Sequence, residues 1–214
     1  MDTIDRKSAR NVPSAPTVFL VDDDRGIRDS LRWLAESVGL HLVSYASAQE
    51  FLDAFQPDTP GCLLLDVRMP GMSGLDLQER LNAQCIDIPV IILTAHGDVP
   101  MAVRALKAGA FDFLEKPFSD QVLLDQINLA LDHDRNNRAK KAENADLLQR
   151  LQALSPRERT VMIKVAGGMS NKSIAEELGL SQKTIEVHRA HVMAKVRANS
   201  VAELVQIAYR AGLT

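Results

Sequence analysis

The sequence predicts an α/β fold, a doubly wound parallel sheet with helices on both faces, followed by an all-α region. Three observations predict it. Five short apolar runs alternate with amphipathic segments over residues 16–135, the pattern of strands joined by crossover helices. Two of those runs contain LLL and VIIL with no polar alternation, as expected of strands buried on both faces. The charge then changes sign. Residues 14–134 carry 8 Lys+Arg against 19 Asp+Glu, a balance of −11, and residues 135–214 carry 14 against 7, a balance of +7. An acidic half and a basic half imply two domains with different partners, the basic one suited to nucleic acid.

The strands, in order, are TVFLV (17–21), HLVSY (41–45), CLLLD (62–66), PVIILT (89–94) and FDFLE (111–115). A first helix over 24–38 stops at Gly39, a residue suited to a helix C-terminus. Ser47 with Glu50 is a capping box for the second helix, and Ser73 opens the third. Asp98 opens the fourth, which stops at Gly109, and Ser119 opens the fifth. No Gly or Pro interrupts residues 121–154, so the fifth helix runs on as a charged, exposed linker. In the basic half, Ser155-Pro156-Arg157-Glu158 is a capping box with proline at the first helical position. That helix ends at Gly167-Gly168, another covers 171–178, Ser181 caps a third, and Ser200 with Glu203 caps a fourth.

The expected organisation is a flexible leader (1–15), a first domain (16–135), a helical linker (136–149) and a second domain (150–214). With 46% hydrophobic residues the chain can bury a sizeable core. It has no apolar run of the roughly eighteen residues that a membrane span needs, so no membrane partner is expected. Cys62 and Cys85 lie far apart with no His or Cys at metal spacing, which suggests reduced thiols in a cytoplasmic protein.

Functional groups of a doubly wound sheet collect at the carboxyl ends of its strands. Strand one ends in Asp22 and Asp23, strand three in Asp66, strand four in Thr94 and strand five in Lys116. Three carboxylates in one cleft would repel and raise one another's pKa; a Mg²⁺ ion, hard and oxygen-seeking, resolves this. A lysine and a hydroxyl beside a carboxylate are what phosphoryl transfer to that carboxylate needs, with Asp66 as the nucleophile. The peptide bond Lys116-Pro117 is a candidate cis bond.

The segments DDD, LLLDVRMPGMSG, LTAHGD and EKPF resemble the receiver domain of bacterial two-component response regulators. The resemblance implies a flavodoxin-like five-stranded sheet and Asp66 as the phosphoacceptor. It implies Mg²⁺ held by Asp22, Asp23, Asp66 and the backbone carbonyl of Arg68, and a switch pair of Thr94 and Phe113. A Mg²⁺-dependent phosphohydrolase of the haloacid-dehalogenase type is the rival. Such enzymes typically place a second aspartate two residues after the nucleophile, where this chain has Arg68, and no substrate cap is visible.

SNKSIAEELGLSQKTIEVHRAHVMAKV carries helix-turn-helix spacing: small Ala175 at the helix crossing, Gly179 at the turn and apolar Ile185 in the second helix. The second helix would enter the major groove by its N-terminal part. Lys172, Lys183, Arg189 and Lys195 are candidate phosphate contacts, and Thr184, Glu186, Val187 and His188 are candidates for base edges. With LSPRERTVM before it, the stretch resembles the LuxR-type DNA-binding domain, and the whole chain resembles a NarL/FixJ-type transcription regulator, on the FixJ side. The resemblance implies a response regulator rather than an enzyme. It implies a sensor histidine kinase and promoter DNA as partners, with RNA polymerase as a further candidate. Phosphorylation would favour a homodimer through the fourth helix, fifth strand and fifth helix, with Arg104 and Lys107 opposite Asp112 or Asp125 of a mate.

Overall fold

The parallel sheet is built from β1 (Thr17–Val21), β2 (His41–Tyr45), β3 (Gly61–Asp66), β4 (Val90–Thr94) and β5 (Asp112–Glu115), in the order β2-β1-β3-β4-β5. The structure is a computed structural model that describes residues 15–95 and 99–213. Residues 1–14 of the leader, His96 and Asp98, the expected opener of the fourth helix, therefore lie outside the described residues. Helices α1 (Arg25–Ser37), α2 (Ala48–Ala54), α3 (Gly74–Ala83), α4 (Val99–Lys107) and α5 (Asp120–Gln152) follow the strands in turn.

Strand alternation divides the core into two layers. Phe19, Val21, Leu63, Leu65 and Ile92 pack on one face with Phe51 of α2 and Leu77 and Leu81 of α3. Val18, Leu20, Cys62, Leu64, Ile91 and Leu93 pack on the other with Leu31 and Ala35 of α1 and Leu123, Ile127 and Leu131 of α5. Consecutive residues of β1 and β3 thus serve opposite faces, the two-residue period of a strand covered on both sides. The strand order reverses at β1, with β2 on one side and β3 on the other, and β1 and β3 align Val21 with Leu65. Their carboxyl ends, Asp22 and Asp66, therefore emerge side by side at the switch point, where such sheets bind ligands.

Cα packing separates two units, residues 1–137 and 138–214. The second contains α6 (Pro156–Ala166), α7 (Asn171–Leu178), α8 (Gln182–Val196) and α9 (Val201–Arg210). Its core joins Val161, Met162, Ile174, Ala175, Ile185, Val192, Val196 and Leu204 with Leu147, Leu151 and Leu154. The linker's last turns are thus part of this unit's core, and by Cα packing the unit begins at Arg138. The sequence shows Leu147, Leu148, Leu151 and Leu154 recurring there; packing shows that Leu147 is buried and Leu148 exposed.

The serines read as caps are caps. Ser155 accepts from the Glu158 N–H while the Glu158 carboxylate accepts from the Ser155 N–H, and Ser47, Ser73, Ser181 and Ser200 each accept an N–H of their own first turn. Ser170 caps α7 in the same way, a cap the sequence reading did not single out. Gly179 ends α7 with φ of +65°, a left-handed conformation that glycine adopts without strain. Among the described residues no helix is long and apolar enough to cross a membrane.

Candidate functional site

At the carboxyl edge of the sheet, Lys116 Nζ donates to Asp22 Oδ2 at 2.8 Å and to Asp66 Oδ1 at 2.7 Å. The bridge is largely out of water, the side chains of Lys116, Asp22 and Asp66 being 16%, 1% and 10% exposed. Asp66 Oδ2 accepts from the Arg68 N–H at 2.8 Å. The Lys116–Pro117 peptide bond is cis. Thr94, buried at the end of β4, accepts the Lys116 N–H on its carbonyl at 2.7 Å. Phe113 of β5 is aligned with Ile92 of β4 and packs, half-buried, against the first core layer.

The three consecutive aspartates have separate tasks. Asp22 Oδ1 accepts from the Asp24 N–H at 2.9 Å, and its other oxygen takes Lys116. Asp24 is the N-cap of α1, accepting from the N–H groups of Gly26 and Ile27, the usual service of an aspartate before a helix. Asp23 is exposed, and among the described residues its carboxylate has no hydrogen-bond or ion-pair partner.

Burial pushes the Asp22 carboxyl above its usual value despite the bonds from Lys116 and Asp24. Burial also works against the Lys116 ammonium, but the bonds to Asp22 and Asp66 outweigh it and its pKa is raised. These tendencies pull against each other. Nζ within 2.8 Å of two carboxylate oxygens is the geometry of an ammonium between carboxylates, and charged Lys116 is the direction that geometry supports.

Among the described residues no three His, Cys, Asp or Glu side chains are gathered as a metal-ligand group. Of the three carboxylates, Asp22 and Asp66 are bridged by Lys116, and Asp23 is exposed. The donor set still suits a hard divalent cation. Three carboxylates with one ammonium leave a formal charge of −2, and the open member, Asp23, is an oxygen donor at the rim.

Close backbone packing holds the strand end at Asp66. A Cβ on Gly74 would lie 2.1 Å from the Asp66 carbonyl oxygen, so the first turn of α3 can rest on Asp66 only with glycine there. The Gly74 N–H donates to the Val67 carbonyl at 3.0 Å. This is the physical content of the MPGMSG run.

In the second unit, α7 and α8 form the expected pair. Ala175 and Ile185 are buried, and Ser181 caps α8. Lys172, Lys183, Glu186 and Val187 are exposed, while Thr184, His188 and Arg189 are half-buried. Thr184 Oγ1 shares a 2.8 Å hydrogen bond with Ser181 Oγ. Two of the candidate phosphate contacts are committed inside the unit: Arg189 donates to Asn171 Oδ1 at 2.9 Å and Lys195 to Glu158 Oε2 at 2.6 Å.

Residues 18–128 match the family model of the response regulator receiver domain, and residues 152–208 match that of the luxR family of bacterial regulatory proteins. Nodulation protein W of Bradyrhizobium diazoefficiens is 49% identical over 197 residues, covering 92% of this chain and 87% of that protein. The transcriptional regulatory protein FixJ of the same organism is 47% identical over 196 residues, covering 92% and 96%. The chain belongs to the FixJ-type response regulators. The solved structure of the response regulator StyR superposes with a TM-score of 0.87 at 44% identity, covering 92% of this chain and all of that one. The FixJ-type regulator is accordingly a receiver domain followed by a LuxR-type DNA-binding domain, a transcription regulator rather than a classical enzyme.

Sequence reasoning missed three participants in this FixJ-type chain. Arg28 donates from Nη1 to the carbonyls of Asp22 and Asp23 at 2.7 and 2.9 Å. Glu158, read only as a capping residue, also binds Lys195 of α8. Gln78 of α3 donates to the carbonyls of Ala105 and Ala108, both at 3.1 Å, holding the end of α4. Arg104, a candidate for a mate's carboxylate, pairs within this chain with Glu79 at 2.8 Å, which α3 brings within reach. A capping box has a sequence signature; contacts between elements distant in sequence have none.

Proposed function

We propose that Asp66 accepts a phosphoryl group from a sensor histidine kinase and that the aspartyl phosphate controls DNA binding by α7 and α8. The observation that carries this is the Lys116 bridge between Asp66 and Asp22 on neighbouring strand ends. An Asp66 oxygen attacks phosphorus in line as the phosphorus–nitrogen bond to the kinase histidine breaks. Lys116 Nζ then exchanges an Asp66 oxygen for a phosphoryl oxygen, and the Thr94 hydroxyl donates to another. Asp22, Asp23, Asp66 and the Arg68 carbonyl would hold Mg²⁺, which when bound neutralises the remaining phosphoryl charge. Thr94's movement to the phosphate leaves room into which Phe113 turns.

The exposed N-terminal part of α8, with Lys183, Glu186 and Val187, faces the major groove beside Lys172. Phosphate contacts supply the affinity; Thr184, Glu186, Val187 and His188 supply the readout. The regulator pairs through α4, β5 and α5 when phosphorylated, a reading supported by exposed Val103 and Leu106 on α4 and by the gain from placing two recognition helices on one site.

The test is phosphate-affinity electrophoresis with a small-molecule phosphodonor. The parent is retarded in Mg²⁺ and not after chelation, and Asp66→Asn is not retarded in either. Retardation of the Asn variant removes Asp66 as the acceptor.

A further inference from the structure

An arginine beside three aspartates would ordinarily take a carboxylate in a bidentate pair. Arg28 does not. Among the described residues its guanidinium bonds only main-chain carbonyls, those of Asp22 and Asp23, through one nitrogen at 2.7 and 2.9 Å. It is half-buried on the first full turn of α1, and its own N–H donates to the Asp24 carbonyl at 3.1 Å. The turn between β1 and α1 is thereby tied at three points: Asp24 caps the helix, Asp22 Oδ1 takes the Asp24 N–H, and Arg28 grips the two carbonyls. The only acidic side chain of the turn without a bond among the described residues is Asp23.

We propose that Arg28 is a positioning residue for cation binding, fixing the main chain of Asp22 and Asp23 so that the Asp23 carboxylate is presented to a divalent cation. The inference rests on the reading that Mg²⁺ binds at this edge. Arginine suits the task because one Nη carries two donors, enough for two adjacent carbonyls, and uses none of the carboxylate charge. Its own charge opposes a cation nearby, so the two effects of removing it have opposite signs. Loss of positioning weakens Mg²⁺ binding, whereas loss of repulsion tightens it.

The test titrates Mg²⁺ alone into the unphosphorylated full chain and follows the amide NMR shifts of the turn, with Asp23→Asn as the control for the underlying reading. Asp23→Asn is expected to lose Mg²⁺ binding, and a parent-like titration there overturns the site itself rather than the role of Arg28. Arg28→Met is expected to raise the Mg²⁺ Kd about tenfold, as loss of a residue that orients a metal ligand does. Arg28→Lys keeps a charge and enough N–H donors but on a shorter arm, and is expected to fall between it and the parent. An unchanged or lower Kd in Arg28→Met, with Asp23→Asn still defective, overturns the positioning role, even if that variant melts at a lower temperature. Should Arg28→Met fail to fold, Arg28→Gln, whose short neutral arm cannot reach both carbonyls, decides the matter, since a Kd equal to the parent's overturns the proposal.

Discussion

Replacing Lys116 by methionine keeps most of the side chain's volume and removes the ammonium that Asp22 and Asp66 share. Taking away one partner of a buried ion pair costs about 3–5 kcal/mol, because the charge left behind is uncompensated. Lys116 remains 16% exposed and Asp66 10%, so water recovers part of this and the expected loss near pH 8 is about 2–3 kcal/mol. The loss should depend on pH. Burial already raises the Asp22 carboxyl, and removing the ammonium raises it further. A carboxyl whose folded pKa exceeds its unfolded one costs stability as pH rises past the unfolded value, and the full cost applies above the folded value. The deficit of Lys116→Met is therefore largest in mild alkali and shrinks as the solution is acidified and Asp22 takes up a proton. Mg²⁺ at about a hundred times its Kd should return about 2.7 kcal/mol, and at least as much to the variant as to the parent, since no ammonium competes for the carboxylates. The assay is urea unfolding read by pulsed hydrogen exchange of peptides from β1 and β3, which isolates the receiver from the DNA-binding unit. Parent-like stability near pH 8, or a deficit that grows on acidification, would refute the account of Lys116 as the counter-charge of this edge.

Three other outcomes follow from the same structure. Bonds from Lys195 and from the Ser155 N–H hold the Glu158 carboxyl at about 2, below the ordinary 4.5; its stabilisation is present above that ordinary value and is lost as pH falls toward the folded one. The hydrogen-exchange protection of α6 should fall over that acid window, and Glu158→Gln should flatten the fall. Leu147→Ala should destabilise the DNA-binding unit by about 2–3 kcal/mol, whereas Leu148→Ala, at a position 57% exposed, should leave its urea midpoint unchanged. Thr94→Ala should still be retarded in phosphate-affinity electrophoresis but should drive a reporter promoter poorly; parent-like transcription would break the proposed coupling through Thr94.

The five strands, their caps and the strand-end residues were legible because local chemistry writes them. Apolar runs without alternation mark strands covered on both faces, and a serine three residues before a glutamate marks a helix start. The order of strand ends placed Asp22, Asp66, Thr94 and Lys116 on one edge once the sheet was taken as parallel. Gly179 announced its turn because a left-handed residue is nearly always glycine. Long-range partners left no such trace. That Lys116 lies between Asp22 and Asp66, that Arg28 turns to carbonyls rather than carboxylates, and that Arg104 belongs to Glu79 were decided by tertiary packing. So was the buried face of the linker at Leu147 and the commitment of Arg189 and Lys195 within the DNA-binding unit. The sequence by itself determined which groups exist and on which elements they ride. Which charge neutralises which is settled only when distant segments are brought within about 3 Å, the range of a hydrogen bond.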